Sequence, residues 1–351
     1  MRSSKGLSQL TLPGLPFVAM AAVAVVDVLA GRGLGFLPLL TLGPTFASVS
    51  GGMRRTAAVG VIALAICLPL AYYNGSLLTW QNNLTVLTII AVTAASMLAA
   101  RLRLRREREL ADLRLVAEAA QRVLLRPVPR RAGDLRLALS YTSAAAEARI
   151  GGDLYEVVTT PAGVRLIIGD VQGKGLGAVE TAAWVLGAFR EAAYDEPDLG
   201  AVADRLEASL NRQLGKEMFV TAILAEVRAE EVVLLNCGHP APLVLRRDGR
   251  VESLDPPEGA LPLGLAALAD SGRKTHGYPF GTYDQILFYT DGVIETRDGL
   301  GRFYPLADRL SVLSRPDPQA ALDELRADLL VHAGGPLQDD AAMLLLRRQR
   351  S

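Results

Sequence analysis

The first hundred residues of this chain carry only six charged side chains: Arg2, Lys5, Asp27, Arg32, Arg54 and Arg55. Among them lie four apolar stretches, roughly 12–31, 34–50, 56–73 and 84–100. Each is about as long as a helix needs to cross the ~30 Å hydrocarbon core of a bilayer. The second is the weakest, because Pro38, Gly43 and Pro44 lie inside it. Arg2 and Lys5 ahead of the first stretch mimic a signal peptide, but three more stretches follow without a convincing cleavage site, so an anchor is expected. With the N-terminus inside, Arg54, Arg55 and the arginines of 101–108 all fall inside, and only Arg32 falls outside. The positive-inside rule is then met by a four-helix transmembrane region, residues 1–100, with both ends cytoplasmic. Asp27 is the one acid within a span. Such a carboxylate can mark a functional site; the plainer reading places it near the helix end, reaching the interface.

Residues 101–131 change character, with ten Arg against four acids. The segment 101–126 lacks Gly and Pro and is rich in helix formers. Leu102, Leu110, Leu113, Val116, Ala120, Val123 and Leu124 form a stripe at spacings of three and four. A juxtamembrane linker helix is expected, and its stripe allows a homodimeric coiled coil; the alternative is a basic anchor whose long side chains snorkel. Pro127 and Pro129 stop the helix.

Residues 132–351 hold 22 Lys+Arg against 32 Asp+Glu, a net charge of −10. So acidic a domain is a poor nucleic-acid binder. Cys67 and Cys237 form no CxxC pattern, and His239, His276 and His332 are scattered, so neither a zinc site nor a disulfide framework is expected. Short strand patterns run over 135–141, 154–159, 164–170, 219–227, 231–237, 242–246, 285–290 and 341–347. Asp248-Gly249 between two of them signals a hairpin. Amphipathic helices are expected at 176–194, 199–214 and 318–332. Strands grouped in hairpins with helices in blocks read as an α+β sandwich, not a doubly wound parallel sheet.

Four acids stand in four separate motifs: Asp153 in IGGDLYEV, Asp170 in LIIGDVQGKG, Asp291 in ILFYTDGVIE and Asp339 in LQDDAAMLLL. At least three adjoin strands, whose ends can bring distant carboxylates together. Gathered carboxylates hold hard divalent cations such as Mn²⁺ or Mg²⁺, which points to metal-assisted hydrolysis. The Gly173-Lys174 pair is followed by Gly175, not by Ser or Thr, so a P-loop reading fails. Gly151-Gly152-Asp153 continues with Leu-Tyr, which departs from a diguanylate cyclase signature.

Together these motifs resemble the SpoIIE branch of the metal-dependent, protein phosphatase 2C-like (PPM) serine/threonine phosphatases. The resemblance runs from about 120 to 348 through LLRPVP, IGGDLYEV, GDVQGKG, MFVTAILAEV, NCGHPAPLVL, LPLGL, LFYTDGVIE and QDD, in family order. It implies a PPM-type sandwich of two antiparallel β-sheets flanked by α-helices, and a centre of two divalent metal ions. By this resemblance Asp153 and Asp170 are ligands, with Asp170 bridging, and the Val171 carbonyl completes the set. Asp291 and Asp339 bind on the other side, and Asp340 stands behind them. Catalysis then runs through metal-activated water, with no protein nucleophile. The resemblance also implies a protein substrate carrying phosphoserine or phosphothreonine, in this branch a STAS-domain anti-anti-sigma factor. With the anchor, it places a cytoplasmic catalytic domain at the cell's inner membrane. The alternative is a catalytically silent membrane sensor or scaffold.

Gln172 stands where the bacterial branch usually has Ser, and it cannot donate a proton as an acid. DDAAM departs from the usual residues after the Asp pair, but it touches the strand and not the ligand. Several other residues carry two readings each. His239 is either catalytic or, more plainly, a strand-end residue bonded to backbone. Lys174 and Arg149 either hold phosphate or are solvated. Asn236 supports a turn, and Met218 and Phe219 belong to the core.

Overall fold

The computed structural model describes residues 14–31, 35–143, 152–161, 163–213, 218–268 and 272–349, the side chains of 113–118, 120–123 and 213 excepted. Arg149 lies outside these residues. The chain divides into two compact units, Met1–Asp112 and Leu113–Ser351.

The first unit is helical. Helix α1 spans Leu15–Ala30. A 3₁₀ turn, Leu37–Thr41, leads into α2, Leu42–Ser50. Helix α3 spans Met53–Tyr73, and α4 spans Trp80–Leu124. Two helices, Met53–Tyr73 and the Trp80–Asp112 part of α4, are long and apolar enough to cross a membrane. The other two fall short: the 16 residues of α1 rise only about 24 Å at 1.5 Å each. In the second stretch, Pro38 and Pro44 sit in first turns, where a missing N–H costs nothing, and split the stretch in two. The linker is not a separate element, because the fourth stretch and residues 101–124 form one helix. Of its stripe, Leu102 and Leu110 are exposed.

Met20, Leu40, Ala47, Val59, Ala63, Cys67, Ala71 and Ile89 form the core of this unit. Small residues let its backbones approach: a Cβ on Gly60 would lie 2.3 Å from Cγ2 of Thr93. Asp27 lies in the last turn of α1. It is fully buried, with Oδ2 accepting from the Asn74 amide at 2.8 Å and Oδ1 from the Phe36 N–H at 3.2 Å.

The second unit holds eleven described strands. One sheet takes β1 (Arg131–Ala132), β2 (Leu135–Thr142), β11 (Ala341–Arg348), β10 (Gln285–Tyr289), β7 (Leu243–Leu245) and β8 (Val251–Ser253), in that spatial order. The other takes β3 (Leu154–Thr160), β4 (Gly163–Val171), β5 (Val220–Val227), β6 (Glu231–Cys237) and β9 (His276–Pro279). Every pairing is antiparallel. Helices α5 (Leu176–Asp195) and α6 (Leu199–Gln213) cover the second sheet. The short α7 (Asp291–Ile294) and α8 (Leu306–Arg309) precede α9 (Pro318–Ala333), which covers the first sheet.

The period-two alternation of the strands assigns each layer. Leu344 and Leu346 of β11 meet Leu166 and Ile168 of β4 between the sheets. Met343 and Leu345 turn outward to Leu322 and Leu325 of α9, while Ile167 and Val171 turn outward to Phe189 of α5. The four-layer α–β–β–α sandwich follows directly. The Asp248-Gly249 signal holds: Gly249 has φ +87°, and β7 pairs with β8 across it, Leu245 opposite Val251. Strand β9 carried no sequence signal, since it is a short, half-exposed edge strand ending in Pro279.

Candidate active site

The sheets bring four motifs to one end of the sandwich, two from each sheet. Asp153 immediately precedes β3, and Asp170 is the penultimate residue of β4. Leu154 pairs with Gly169, and the Val171 N–H donates to the Gly152 carbonyl at 3.2 Å, so Asp153 and Asp170 are neighbours across the ladder. From the other sheet, Asp291 opens α7 just beyond β10, and Asp339 and Asp340 lead into β11.

Close backbone approach at two glycines makes this possible. A Cβ on Gly152 would lie 2.5 Å from the Val171 carbonyl oxygen and 2.8 Å from Asp170 Oδ1. A Cβ on Gly292 would lie 1.9 Å from the Asp340 carbonyl oxygen.

The carboxylates feel one another. Burial first, then the Asp170 charge, pushes Asp153 well above the usual carboxylate range, and Thr290 opposes the shift. Burial, then Asp291 and Asp339, raises Asp170 from 3.8 to about 7, with Lys174 pulling the other way. Burial, then Glu295 and Asp339, also raises Asp291. Lys174 reaches this end, its Nζ donating to both Asp339 oxygens at 2.8 and 2.7 Å. Among the described residues no three His, Cys, Asp or Glu side chains converge on one point. The acids are near enough for their charges to act on one another.

Supporting residues that the sequence did not single out hold this ring. Thr290 is fully buried and joins the two sheets: its Oγ1 donates to Asp153 Oδ2 at 2.8 Å and accepts from the Ala342 N–H at 2.9 Å. Its only signal was its place before Asp291 in the motif. Tyr141 and Ser143 donate to the buried Asp340 carboxylate.

His239 follows the plainer reading. It is buried, with Nε2 3.1 Å from the Tyr289 carbonyl and Nδ1 3.1 Å from Thr221 Oγ1, and burial lowers it from 6.5 to about 4. Asn236 braces the turn by exchanging two 2.8 Å bonds with the His239 backbone. Met218 and Phe219 are half-buried, Met218 against the core under α5 and α6. A cavity of about 280 Å³, lined by Lys174, Asp339, Glu295 and Arg297, opens beside the acids.

The sequence profile of the family described as Stage II sporulation protein E (SpoIIE) matches residues 160–349, just over half of the chain. The chain belongs to the SpoIIE family. The matched segment contains Asp170, Asp291 and Asp339 and begins after Asp153. Its PPM-type phosphatase domain is also similar to solved structures. The SiaA-PP2C domain of Pseudomonas aeruginosa matches at TM-score 0.58 and 19% identity, covering 70% of this chain and 99% of that one. The RsbU and RsbW domains of Rv1364c from Mycobacterium tuberculosis match at TM-score 0.50 and 25% identity, covering 61% and 60%. The PP2C phosphatase domain and regulatory fragment of SpoIIE from Bacillus subtilis match at TM-score 0.51 and 15% identity, covering 62% and 64%. The SpoIIE-family chain thus spans under two thirds of the last two structures, and at these identities the Pseudomonas and Bacillus likenesses speak for the PP2C-like fold.

Proposed function

We propose that this chain is a membrane-anchored, metal-dependent protein serine/threonine phosphatase acting on phosphoserine or phosphothreonine, with a phosphorylated STAS-domain anti-anti-sigma factor as its substrate. The observation that carries the reading is the gathering of Asp153, Asp170, Asp291 and Asp339 with too little positive charge among them. Their donor set is oxygen alone, which fits Mn²⁺ or Mg²⁺. When bound, two such ions supply a water acidic enough to attack phosphorus near neutral pH and offset charge on the phosphoryl oxygens.

The chain's own residues do the rest. Asp153, Asp170 and the Val171 carbonyl would hold the ions from one side, and Asp291 and Asp339 from the other. Thr290 fixes the Asp153 rotamer, and Tyr141 fixes Asp340 behind Asp339. Lys174 would have to give up its bonds to Asp339 for that carboxylate to serve as a ligand. Gln172 cannot act as an acid, and His239 is buried and neutral at pH 7, so water protonates the leaving group.

The substrate class rests on the family resemblance. The anchor rests on the apolar helices and the arginine distribution: four spans, both ends cytoplasmic, multi-pass in the inner membrane, with α4 as a dimer helix. A silent scaffold is the second reading, favoured by the Lys174–Asp339 pair. The test is phosphate release from a phosphoserine STAS protein with Mn²⁺, with EDTA, and with Asp170→Asn. Metal-dependent turnover lost in the variant supports the phosphatase. A folded protein that binds no Mn²⁺ leaves the scaffold.

A further inference from the structure

A cavity of about 580 Å³ lies within the helical unit, far from the acids in sequence. Its polar lining is Asn74, Ser76, Gln81, Asn82, Thr85 and Thr88, with Leu37, Pro38 and Leu84 as apolar wall. The volume is in the range of small-molecule sites and too large for a bare ion. The cavity sits at the turn between α3 and α4, the end opposite Arg54, Arg55 and the arginines of 101–108. By the positive-inside rule this is the end away from the cytoplasm, whether two or four helices cross.

Except at the exposed Gln81, the side-chain donor groups of the polar lining are engaged, and acceptors are left over. Ser76, Thr85 and Thr88 donate their hydroxyl protons to the carbonyls of Ala71, Gln81 and Leu84. The Asn82 amide donates to the Leu77 carbonyl at 3.1 Å and the Asn74 amide to Asp27. Yet Asn74 Oδ1 and Asn82 Oδ1 are buried without any partner, and Asn82 is only 5% exposed. A buried acceptor left unpaired is destabilising, which favours a ligand that donates to it. Among the described residues no Lys or Arg lines the cavity. Behind Asn74, the fully buried Asp27 carboxylate has two neutral donors. Spare acceptors backed by a carboxylate select a donor that is also cationic. Among the described residues no aromatic ring lines the cavity to take a quaternary ammonium.

We infer that this cavity is a binding site for a small molecule bearing a primary ammonium group, held by Asn74 Oδ1 and Asn82 Oδ1. Five of its lining residues lie in the first turns of α4, the helix that runs unbroken to Leu124.

The test is isothermal titration of the full chain in detergent, at pH 7.5, with ethanolamine, ethylene glycol and choline. Saturable ethanolamine binding is expected, with choline, which lacks N–H donors, and uncharged ethylene glycol at least tenfold weaker. Asn82→Leu should weaken ethanolamine tenfold or more. Thr85→Val, which keeps shape and removes an acceptor, should weaken it severalfold without risk to the fold. Gln81→Glu, at an exposed lining position, should tighten it. Absence of saturable ethanolamine binding overturns the site. Equal binding of ethylene glycol or choline overturns the ammonium assignment, and unchanged affinity in a folded Thr85→Val together with Gln81→Glu overturns the placement.

Discussion

Asp170→Asn should make the metal-free phosphatase unit more stable, although it removes the residue proposed to bridge the metals. Burial and the charges of Asp291 and Asp339 raise Asp170 from 3.8 to about 7. An acid raised in this way binds more protons folded than unfolded between those two pH values. Stability therefore falls as pH rises through that window, and the penalty is complete above about 7. The gap corresponds to about 4 kcal/mol, an upper figure because the side chain keeps some access to water. In EDTA at pH 8, Asp170→Asn should gain up to about 4 kcal/mol over wild type, falling to about 1.5 kcal/mol at pH 5, where the folded wild type is already protonated. Urea melts of Leu113–Ser351, which has its own core on both faces of both sheets, read this through Trp184, the one Trp of that unit. Mn²⁺ at a hundred times its Kd should narrow that gap by up to about 2.7 kcal/mol, because the wild type gains that much and the variant less. Equal stability in EDTA at pH 8, or a difference that does not shrink on acidification, would refute the electrostatic account of the site.

His239 titrates in the opposite sense: its stability contribution is present above 6.5 and lost as pH falls toward about 4. Wild type should lose roughly 3 kcal/mol more than His239→Gln between pH 6.5 and 4 in paired urea melts. Arg165 is 2% exposed, bonds Glu226 at 2.7 Å and reaches the carbonyls of Ala193, Glu196 and Pro197 at the end of α5. Arg165→Met leaves the buried Glu226 carboxylate with the half-exposed Arg228 as its remaining ion partner and takes the donors from those three carbonyls, and should cost about 3 kcal/mol by urea melt. Gly292→Ala drives a Cβ into the Asp340 backbone and should cut phosphate release more than about tenfold, whereas Gly299→Ala, which meets open space, should leave it unchanged. Lys174→Met removes the ammonium that competes for Asp339, so calorimetry should find Mn²⁺ bound about fivefold tighter, the worth of a half-exposed pair; weaker binding would instead give Lys174 a supporting role.

The layers of the phosphatase unit were legible because burial writes a period into a strand. The 341–347 and 164–170 patterns became β11 and β4 with one residue added at an end or at both. The helices at 176–194, 199–214 and 318–332 likewise moved by one residue at most. Elements that bury little left no such mark: β9 and the two-residue β1 escaped notice. The site acids were legible as motifs, but Thr290 was not, because a hydroxyl joining two sheets looks in sequence like any strand-end Thr. The helical unit shows the same limit. Apolar length announced four stretches, yet the split at Pro38 and Pro44, and the Asp27–Asn74 bond across 47 residues, are properties of packing that no window of residues contains.

The origin of the four acids has a consequence for how activity and folding are linked. Asp153 and Asp170 belong to one sheet, Asp291 and Asp339 to the other, so neither sheet alone carries more than half of the charge. The halves meet only when Leu166 and Ile168 pack on Leu344 and Leu346 between the sheets. Thr290 then bonds Asp153 on one side and Ala342 on the other, fixing the stagger of the sheets at the point where the carboxylates approach. Thr290→Val keeps the shape and deletes both bonds, leaving a buried carboxylate and a buried N–H short of partners, at about 1–3 kcal/mol. Stability should fall by that amount while phosphate release falls further, because a sub-ångström slip between sheets is absorbed by the core but not by a four-carboxylate ring. Thr290→Ser, which retains the hydroxyl, should recover most of the activity. If Thr290→Ser were as impaired as Thr290→Val, the methyl packing and not the bridge would set the site.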